Sequence, residues 1–276
     1  STSAAHDEGP LTTRKLHQWL ADVPDVTVSE SLLGPGNCFF SLLPDFEPTS
    51  MTKVTRNLIE AVVAENRDCI RQMAVKPDIS EEHLLVIRLF TLQEPIPFFA
   101  YVNDILNSEF REGLEQIAPF VRILMNALHA MDAAGYGVEA QAYRGLKIAD
   151  NPVLSHKYDN YKTELSLGAV MTFSSFTSVS VVDTAIEEFG DSLFYQFLKI
   201  RGVNISSLSK YPNESEVLVM PPLVWRVSAV FMLTGKLIVT LTHDRPNEDS
   251  SLPCSLAVIS DDDAKAACAL IESYER

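Results

Sequence analysis

The sequence predicts an α+β fold, in which a helical N-terminal lobe packs on a mostly antiparallel β-sandwich core. Apolar residues recur at helical spacing from residue 11 to about residue 132. Beyond the breaker at residues 132–137, the apolar runs are short, rich in Val, Ile, Phe and Thr, and separated by turn residues. The 276 residues are 46% hydrophobic, enough to fill a sizeable core. We therefore expect residues 1–135 to form the helical lobe and residues 136–276 the β-rich core of one integrated domain.

The helical half contains five predicted helices, with bounds given by their apolar spacing and their breakers. They cover residues 13–21, 51–73, a segment that begins after Ser80, 100–110 and 114–130. Ser80 is followed by Glu81 and Glu82, an order typical of a helix start. A serine hydroxyl can accept a hydrogen bond from a first-turn N–H, and acidic side chains favour the positive end of the helix dipole.

The second half is predicted to be mostly strands. They cover residues 139–144, 169–180, 192–200, 216–220, 224–233, 237–242 and 255–259. A short helix at residues 183–190 has an Asp at its start and a Gly at its end, and a closing helix at residues 261–276 begins with three acidic residues.

Composition argues against several classes of partner. The formal net charge of -15 disfavours nucleic acid, because binding to phosphates depends on Lys and Arg. No stretch approaches the length of an uncharged membrane span. The four cysteines lie far apart, and no histidines are paired at metal-ligand spacing, so we expect no metal site. We expect a monomer whose partner is a protein with a basic surface.

Residues 143–145 read Tyr-Arg-Gly at the end of a predicted strand. The guanidinium of Arg144 offers a rigid fork of donors suited to phosphate oxygens, and Gly145 lets a flat ligand approach the backbone closely. On its own this motif is weak, because an arginine at a strand end is most often a solvated charge.

A second motif, Thr-Phe-Ser-Ser-Phe-Thr-Ser-Val-Ser, occupies residues 172–180. In a strand Ser178 and Ser180 face the same side, so one hydroxyl could hold a neighbouring carboxylate. Phe173 or Phe176 could supply apolar surface beside it. Alone, the segment is an ordinary strand with a polar face.

Two glutamates form the third motif. Glu214, Ser215 and Glu216 are predicted to alternate as a strand begins, so both carboxylates should point the same way. Like charges so close together repel each other, although exposed glutamates at the start of a strand are common. The pair therefore becomes informative only together with the other two motifs.

The order and spacing of the three motifs resemble the Arg–Ser–Glu signature of cholera-toxin-like mono-ADP-ribosyltransferases. The resemblance to the vertebrate ecto-enzymes is closest in Leu-Ser-Lys-Tyr-Pro-Asn-Glu-Ser-Glu-Val-Leu-Val-Met-Pro-Pro at residues 208–222. It extends upstream into residues 87–106, which look like the helical run that precedes the catalytic core in that family. Three motifs in order carry far more weight than any one of them.

The resemblance implies that NAD is the co-substrate and gives each motif a role. Arg144 would hold the phosphates, and Ser178 would orient Glu216. Glu216 would stabilise the positive charge that develops on the ribose as nicotinamide leaves. Gly145 would meet the nicotinamide amide through its backbone, and one of the two phenylalanines of the second motif would pack on the ring. Some hydrolysis of NAD without a target is expected.

The resemblance also implies that Glu214 selects the acceptor. Arginine-modifying members have Glu at this place and asparagine-modifying members have Gln, so the carboxylate can bind and help deprotonate an incoming guanidinium. We expect an arginine of a target protein to be the acceptor, with threonine or another hydroxyl, for instance on a host protein such as ubiquitin, as the alternative. The loop at residues 206–213, with Tyr211 at its tip, is expected to touch the target.

A rival interpretation comes from residues 34–46, which resemble the nucleophile segment of ovarian-tumour-type deubiquitinases. Cys38 would be the nucleophile, activated by a helix N-terminus that lowers the thiol pKa. However, Pro35 replaces an Asp that helps to form the oxyanion hole, and His243, directly after the predicted strand at residues 237–242, is the only strand candidate for the base. A cysteine deubiquitinase and a non-catalytic binding module are therefore the two alternatives.

The cellular setting is inferred from the start of the chain, the cysteines and two sequons. The sequence starts without a basic and apolar signal-like segment, and its cysteines show no pairing pattern. Asn204-Ile205-Ser206 and Asn213-Glu214-Ser215 lie at the predicted site, where a glycan would block access. We expect a secreted bacterial effector that acts in a host cytosol.

Overall fold

The structure is a computed structural model that describes most of the chain up to residue 243. The described residues are 16, 19–34, 54–73, 79–108, 111–146, 165–182, 192–221, 223–233 and 236–243. All of them belong to one compact unit, Ser1–Asp244, and a second unit, Arg245–Arg276, lies outside the described residues. The predicted helices at residues 183–190 and 261–276 and the predicted strand at residues 255–259 also lie outside them.

Helices fill the first half of the described chain, as predicted. They are α1 (Val28–Leu33), α2 (Arg56–Gln72), α3 (Glu81–Phe90), α4 (Phe98–Ser108) and α5 (Arg111–Met131). The Ser80 hydroxyl accepts a hydrogen bond from the His83 N–H at 3.2 Å, which confirms the predicted start of α3. A π-helical turn, Asp132–Tyr136, follows α5 where the breaker was predicted. No helix in the described ranges is long and apolar enough to span a bilayer.

Strands fill the second half. They are β1 (Gly137–Leu146), β2 (Val170–Phe173), β3 (Thr177–Ser180), β4 (Leu193–Asn204), β5 (Glu216–Val219), β6 (Leu223–Leu233) and β7 (Lys236–His243). The single strand predicted at residues 169–180 is wrong, because the chain leaves one part of the sheet and joins another. β2 pairs with β6, whereas β3 pairs with β5 and β1.

The seven described strands form one sheet in the order β1-β3-β5-β4-β7-β6-β2. β1 also pairs with β4, so β1, β3, β5 and β4 close into a ring. Every pairing is antiparallel except that of β4 with β7. The predicted α+β fold with a mostly antiparallel sheet is confirmed.

The sheet contributes to two separate apolar cores. Its own interior is built around Trp225, Phe197 and Tyr195. The helical core also takes in side chains from the strand half, among them Phe176 and Leu218. Helices and strands therefore share buried surface within this unit, and the domain division at residues 135 and 136 stays a prediction.

Candidate active site

A cleft with a volume of about 230 Å³ lies where the helical half meets the sheet. From the helical half it is lined by Phe90, Thr91, Gln93, Phe99 and Asn103. From the strand half its lining includes Tyr143, Arg144, Gly145, Phe176, Ser178, Tyr211 and Glu216. The cleft thus collects residues from all three motifs of the sequence.

The Arg, Ser and Glu of the three motifs lie on adjacent strands of the ring. Arg144 is on β1, Ser178 is on β3, and Glu216 is the first residue of β5. Ser178 Oγ donates a hydrogen bond to Glu216 Oε1, and Arg144 Nη1 donates to the Ser178 carbonyl at 3.0 Å. The three residues are therefore connected by hydrogen bonds through the backbone and hydroxyl of Ser178, although 72 positions separate the first from the last.

Burial shifts the ionisation of both charged residues. It raises the pKa of the Glu216 carboxyl, while hydrogen bonds from Ser178 and Ser209 and the charge of Arg144 act in the opposite direction. Burial also lowers the pKa of the Arg144 guanidinium, against the influence of Tyr195 and Glu216. Charges held away from water act more strongly on a bound ligand than solvated charges do.

The two candidate phenylalanines have different surroundings. The Phe176 side chain is 1% exposed, lines the cleft and meets Phe90 edge-on, with ring centroids 5.3 Å apart. Phe173 instead packs on the sheet interior, 5.7 Å from Tyr195 and 6.0 Å from Phe197 between ring centroids. Phe176 is the one of the two that reaches the cleft.

The predicted alternation of the two glutamates along one strand is wrong. Glu214 ends a 3-10 turn, Pro212–Glu214, and Ser215 adopts a left-handed conformation with φ 48° and ψ 43°. Pairing with β3 begins only at Glu216. The chain therefore changes direction between the glutamates, and the side chain of Glu214 lies outside the described part of the structure.

Tyr211 shares the cleft with Glu216. It lines the same cleft and is partly buried. Its N–H donates a hydrogen bond to Ser209 Oγ at 3.1 Å. The predicted contact of Tyr211 with a target protein is compatible with this place and stays a prediction.

Two residues at the site were not singled out from the sequence. The side chain of Asn103 on α4 donates to the Phe176 carbonyl and accepts from the Phe176 N–H, at 3.1 Å in both cases. The second is Ser209, which acts to lower the pKa of Glu216. Ser209 belongs to the third motif and could have been found there, whereas nothing in the local sequence marks Asn103, which is 73 residues away from its partner.

The residues of the rival interpretation are only partly described. Cys38 lies outside the described residues. His243 ends β7, where its ring meets Trp225 edge-on with centroids 5.2 Å apart. The sheet that contains Arg144, Ser178 and Glu216 thus also contains the histidine that the rival interpretation would need.

A comparison with protein families gives one match. The sequence model of the family described as "NAD:arginine ADP-ribosyltransferase" matches residues 47–249, most of the chain. The matched region contains the three motifs, and the segment with Cys38 precedes it. No curated protein sequence gives a match.

Solved structures resemble the chain in fold. The type III effector XopAI from Xanthomonas axonopodis pv. citri, truncated by 70 N-terminal residues, has a TM-score of 0.52 at 15% identity, covering 86% of this chain and 90% of that one. The ADP-ribosyltransferase HopU1 of Pseudomonas syringae pv. Tomato DC3000 has a TM-score of 0.49 at 18% identity, covering 86% and 100%. The likeness to XopAI supports the fold, and the family match confirms the resemblance seen in the three motifs. The chain therefore belongs to the NAD:arginine ADP-ribosyltransferase family and is an enzyme that uses NAD as its co-substrate.

Proposed function

We propose that this enzyme transfers one ADP-ribose unit from NAD to an arginine side chain of a target protein. The observation that supports this most directly is the chain of hydrogen bonds from Arg144 through the Ser178 backbone and hydroxyl to the Glu216 carboxylate. It gives the cleft a fixed anionic group beside a partly buried cation. An NAD molecule offers complementary charges, namely anionic phosphates and a ribose that becomes cationic in the transition state.

Glu216 is proposed to act on the reacting ribose. The bond from ribose C1 to nicotinamide breaks, nicotinamide leaves as a neutral base, and positive charge spreads over C1 and the ring oxygen. A carboxylate held in place before the reaction stabilises that charge without reorganising. Ser178 fixes the position of the carboxylate through its hydrogen bond.

Arg144, Gly145 and Phe176 are proposed to hold the rest of NAD. All three line the cleft. The guanidinium suits the phosphates, the backbone of Gly145 suits the nicotinamide amide, and the buried ring of Phe176 suits the flat base. Phe173 packs within the sheet instead, so it is not proposed as a contact.

Glu214 is proposed to bind the acceptor guanidinium and to accept the proton that it loses as the new bond to ribose C1 forms. Its place beside Glu216 in the sequence supports this role. Tyr211 and the loop at residues 206–213 are proposed to contact the target protein. A threonine or other hydroxyl acceptor, for example on ubiquitin, is the alternative, and without a target the enzyme is proposed to hydrolyse NAD slowly.

The setting proposed for this activity is a host cell. XopAI, which shares the fold, is described as a type III effector. An acidic chain with net charge -15 also suits a basic, arginine-bearing target. We propose a bacterial effector that modifies a host protein.

Labelled NAD and a cell lysate test the transferase. We expect the native protein to label a lysate protein, and Glu216→Ala to lower the labelling rate by about two to three orders of magnitude, the loss typical of removing one electrostatic stabiliser. Equal labelling by the native protein and Glu216→Ala would contradict the role of Glu216. Mass spectrometry of the labelled peptide then identifies the acceptor as arginine or as a hydroxyl.

Glu214→Gln separates transfer from NAD cleavage. We expect this variant to lose protein labelling while it still releases nicotinamide, because only the acceptor side is changed. Retained labelling would show that arginine is not the acceptor. For the rival activity, the assay is cleavage of ubiquitin chains, and cleavage that is lost in Cys38→Ala would support a deubiquitinase.

A further inference from the structure

The loop between β4 and β5 forms a tight turn that packs on the helical core. The N–H groups of Leu208 and Ser209 both donate to the Ile205 carbonyl, at 2.8 Å and 2.9 Å. The Tyr211 N–H donates to Ser209 Oγ at 3.1 Å. Ile205 and Leu208 are fully buried and belong to the core of the helical half. The turn that precedes Tyr211 therefore contacts helices as well as joining two strands.

An arginine of the helical half binds this turn. Arg88, in the last turn of α3, donates from Nη1 to the Leu208 carbonyl at 2.9 Å, across 120 positions of sequence. Its Nε donates to Asn66 Oδ1 at 3.0 Å, and Asn66 Nδ2 donates to the Val62 carbonyl at 2.8 Å. Asn66 is a buried residue of α2, so its amide fixes the orientation of the guanidinium. Arg88 thus connects two helices to the turn.

The same end of α3 also reaches the cleft, but not through the arginine. Of the described residues at this end of the helix, Phe90 and Thr91 line the cleft and Arg88 does not. Phe90 meets Phe176 edge-on, beside the proposed nicotinamide site. The guanidinium of Arg88 therefore contacts the loop rather than the space proposed for NAD.

We propose that Arg88 is a positioning residue for target binding, which holds the loop at residues 206–213 in the conformation that receives the target protein. This inference rests on the proposed function, in which Tyr211 and this loop contact the target. A loop that is ordered in the free enzyme avoids the entropic cost of ordering when the target binds. The Arg–Ser–Glu motifs contain no residue with this role.

NAD cleavage is expected to depend on Arg88 much less than transfer does. Glu216 pairs with Ser180 on β3, and its side chain accepts a hydrogen bond from Ser178 Oγ. Both contacts lie in the sheet, outside the turn that Arg88 holds. A loosened turn therefore weakens the capture of a target more than it disturbs the residue proposed to act on the ribose.

Hydrogen exchange of the free protein tests the anchor without any activity. In Arg88→Met we expect the N–H groups of Leu208 and Ser209 to exchange about tenfold faster or more, the factor that corresponds to a lost hydrogen bond from a charged group. Mass spectrometry of a peptide that covers residues 205–213 measures this. A native exchange rate in that peptide would overturn the anchoring role.

Labelled NAD, with and without a cell lysate, tests the consequence for transfer. We expect Arg88→Met to lower the ratio of lysate-protein labelling to nicotinamide release in buffer by about tenfold, because only the target side loses a contact. A residue that merely stabilises the fold would lower both rates together. An unchanged ratio would therefore overturn the proposal.

Arg56→Met is the matched control. Arg56 on α2 likewise donates to a backbone carbonyl, from Nη2 to that of Leu33 at 2.7 Å, and from Nε to Glu60 Oε1 at 3.3 Å. It anchors the end of α1 instead of the turn between β4 and β5. We expect native exchange at residues 205–213 and a native labelling ratio in this variant. Equal changes in the two variants would refute a specific role of Arg88.

Arg88→Lys carries the test if Arg88→Met does not fold. An ammonium keeps the charge and can donate to the Leu208 carbonyl or to Asn66 Oδ1, but it lacks the planar fork that reaches both. We expect intermediate exchange and an intermediate labelling ratio, and native values of both would overturn the proposal. If the native protein neither labels the lysate nor releases nicotinamide, the proposed function fails, whereas hydrogen exchange still decides whether Arg88 holds the turn.

Discussion

Glu216 is a residue at which stability and activity make opposite demands. Glu216 is partly buried, and burial raises the pKa of its carboxyl above the usual value of 4.5. The folded state therefore binds the proton of Glu216 more tightly than the unfolded state does. The charged form that the proposed chemistry requires lowers the free energy of unfolding at neutral pH, although Ser178, Ser209 and Arg144 reduce this cost.

Glu216→Gln is expected to raise the melting temperature at neutral pH while abolishing activity. The amide removes the buried charge and keeps an oxygen that accepts hydrogen bonds. Because the folded pKa is the raised one, the cost is present above that pKa and disappears as the pH falls through it. The gain over the native protein should therefore shrink in acid, measured by thermal unfolding over a pH series.

The exposed Glu115→Gln, on α5, is the control for this series. It removes the same charge from a solvated site, so its effect on the melting temperature should be small at every pH. A Glu216→Gln protein that melts below the native protein at neutral pH would contradict the expectation.

At the scale of elements, a side chain of α4 makes the hydrogen bonds to the Phe176 backbone that a neighbouring strand would otherwise make. Pairing of β2 with β6 ends at Phe173, and pairing of β3 with β5 begins at Thr177. Between them, the Asn103 side chain supplies both a donor and an acceptor to the Phe176 backbone. These two hydrogen bonds satisfy the Phe176 N–H and carbonyl, which would otherwise lack a partner beside the cleft.

Asn103→Ala is expected to lower the free energy of unfolding by about 1–3 kcal/mol, the cost of leaving buried polar groups unsatisfied. It should also raise the KM for NAD, because Phe176 loses the contacts that hold it at the cleft. Urea denaturation and steady-state kinetics measure the two effects. Asn107→Ala, at an exposed position of the same helix, is the control, and equal effects in both variants would refute a specific link to Phe176.

The sequence predicted elements well where the signal is local. Ser80 and the two glutamates after it mark the start of α3 because a cap needs only neighbouring residues. The division between β2 and β3 was missed because residues 169–180 contain no Gly, Pro, Asn or Asp to mark a break, while the choice of partner strand depends on distant segments. The turn at Ser215 was missed because serine carries no strong preference for positive φ.

At the scale of the whole molecule, the ring depends on a close approach between β4 and β5. A Cβ on Gly202 would lie 2.7 Å from Val217 Cγ1 and 2.9 Å from the Leu218 carbonyl oxygen. Both of these residues directly follow Glu216 on β5. Gly202 therefore sets the distance between the strand that carries Glu216 and the rest of the sheet.

Gly202→Ala is expected to destabilise the protein by about 1–3 kcal/mol, as overpacking does, and to reduce nicotinamide release by displacing β5. Gly168→Ala is the control: Gly168 has φ 84° with open space where a Cβ would stand, so the change strains the backbone without pushing a strand. We expect Gly168→Ala to lose stability and keep its rate. A native rate in Gly202→Ala would contradict the displacement of Glu216.

The site was predictable to the extent that it follows from motif order. Arg144, Ser178 and Glu216 were identified by resemblance, and the structure brings them together on β1, β3 and β5. Asn103 was not identified, because a single contact between distant segments leaves no periodic pattern in the sequence. The residues that the helical half contributes to the cleft are seen only in the structure.

The closed ring of β1, β3, β5 and β4 has a consequence for how the enzyme matures. Its pairings join segments far apart along the chain, and Glu216 lies next to Ser178 only once β5 has closed against β3. Contacts of such long range form late, because the entropy of closing the intervening loops must be overcome first. Recovery of turnover during refolding therefore reports a completed sheet, whereas recovery of helical signal does not.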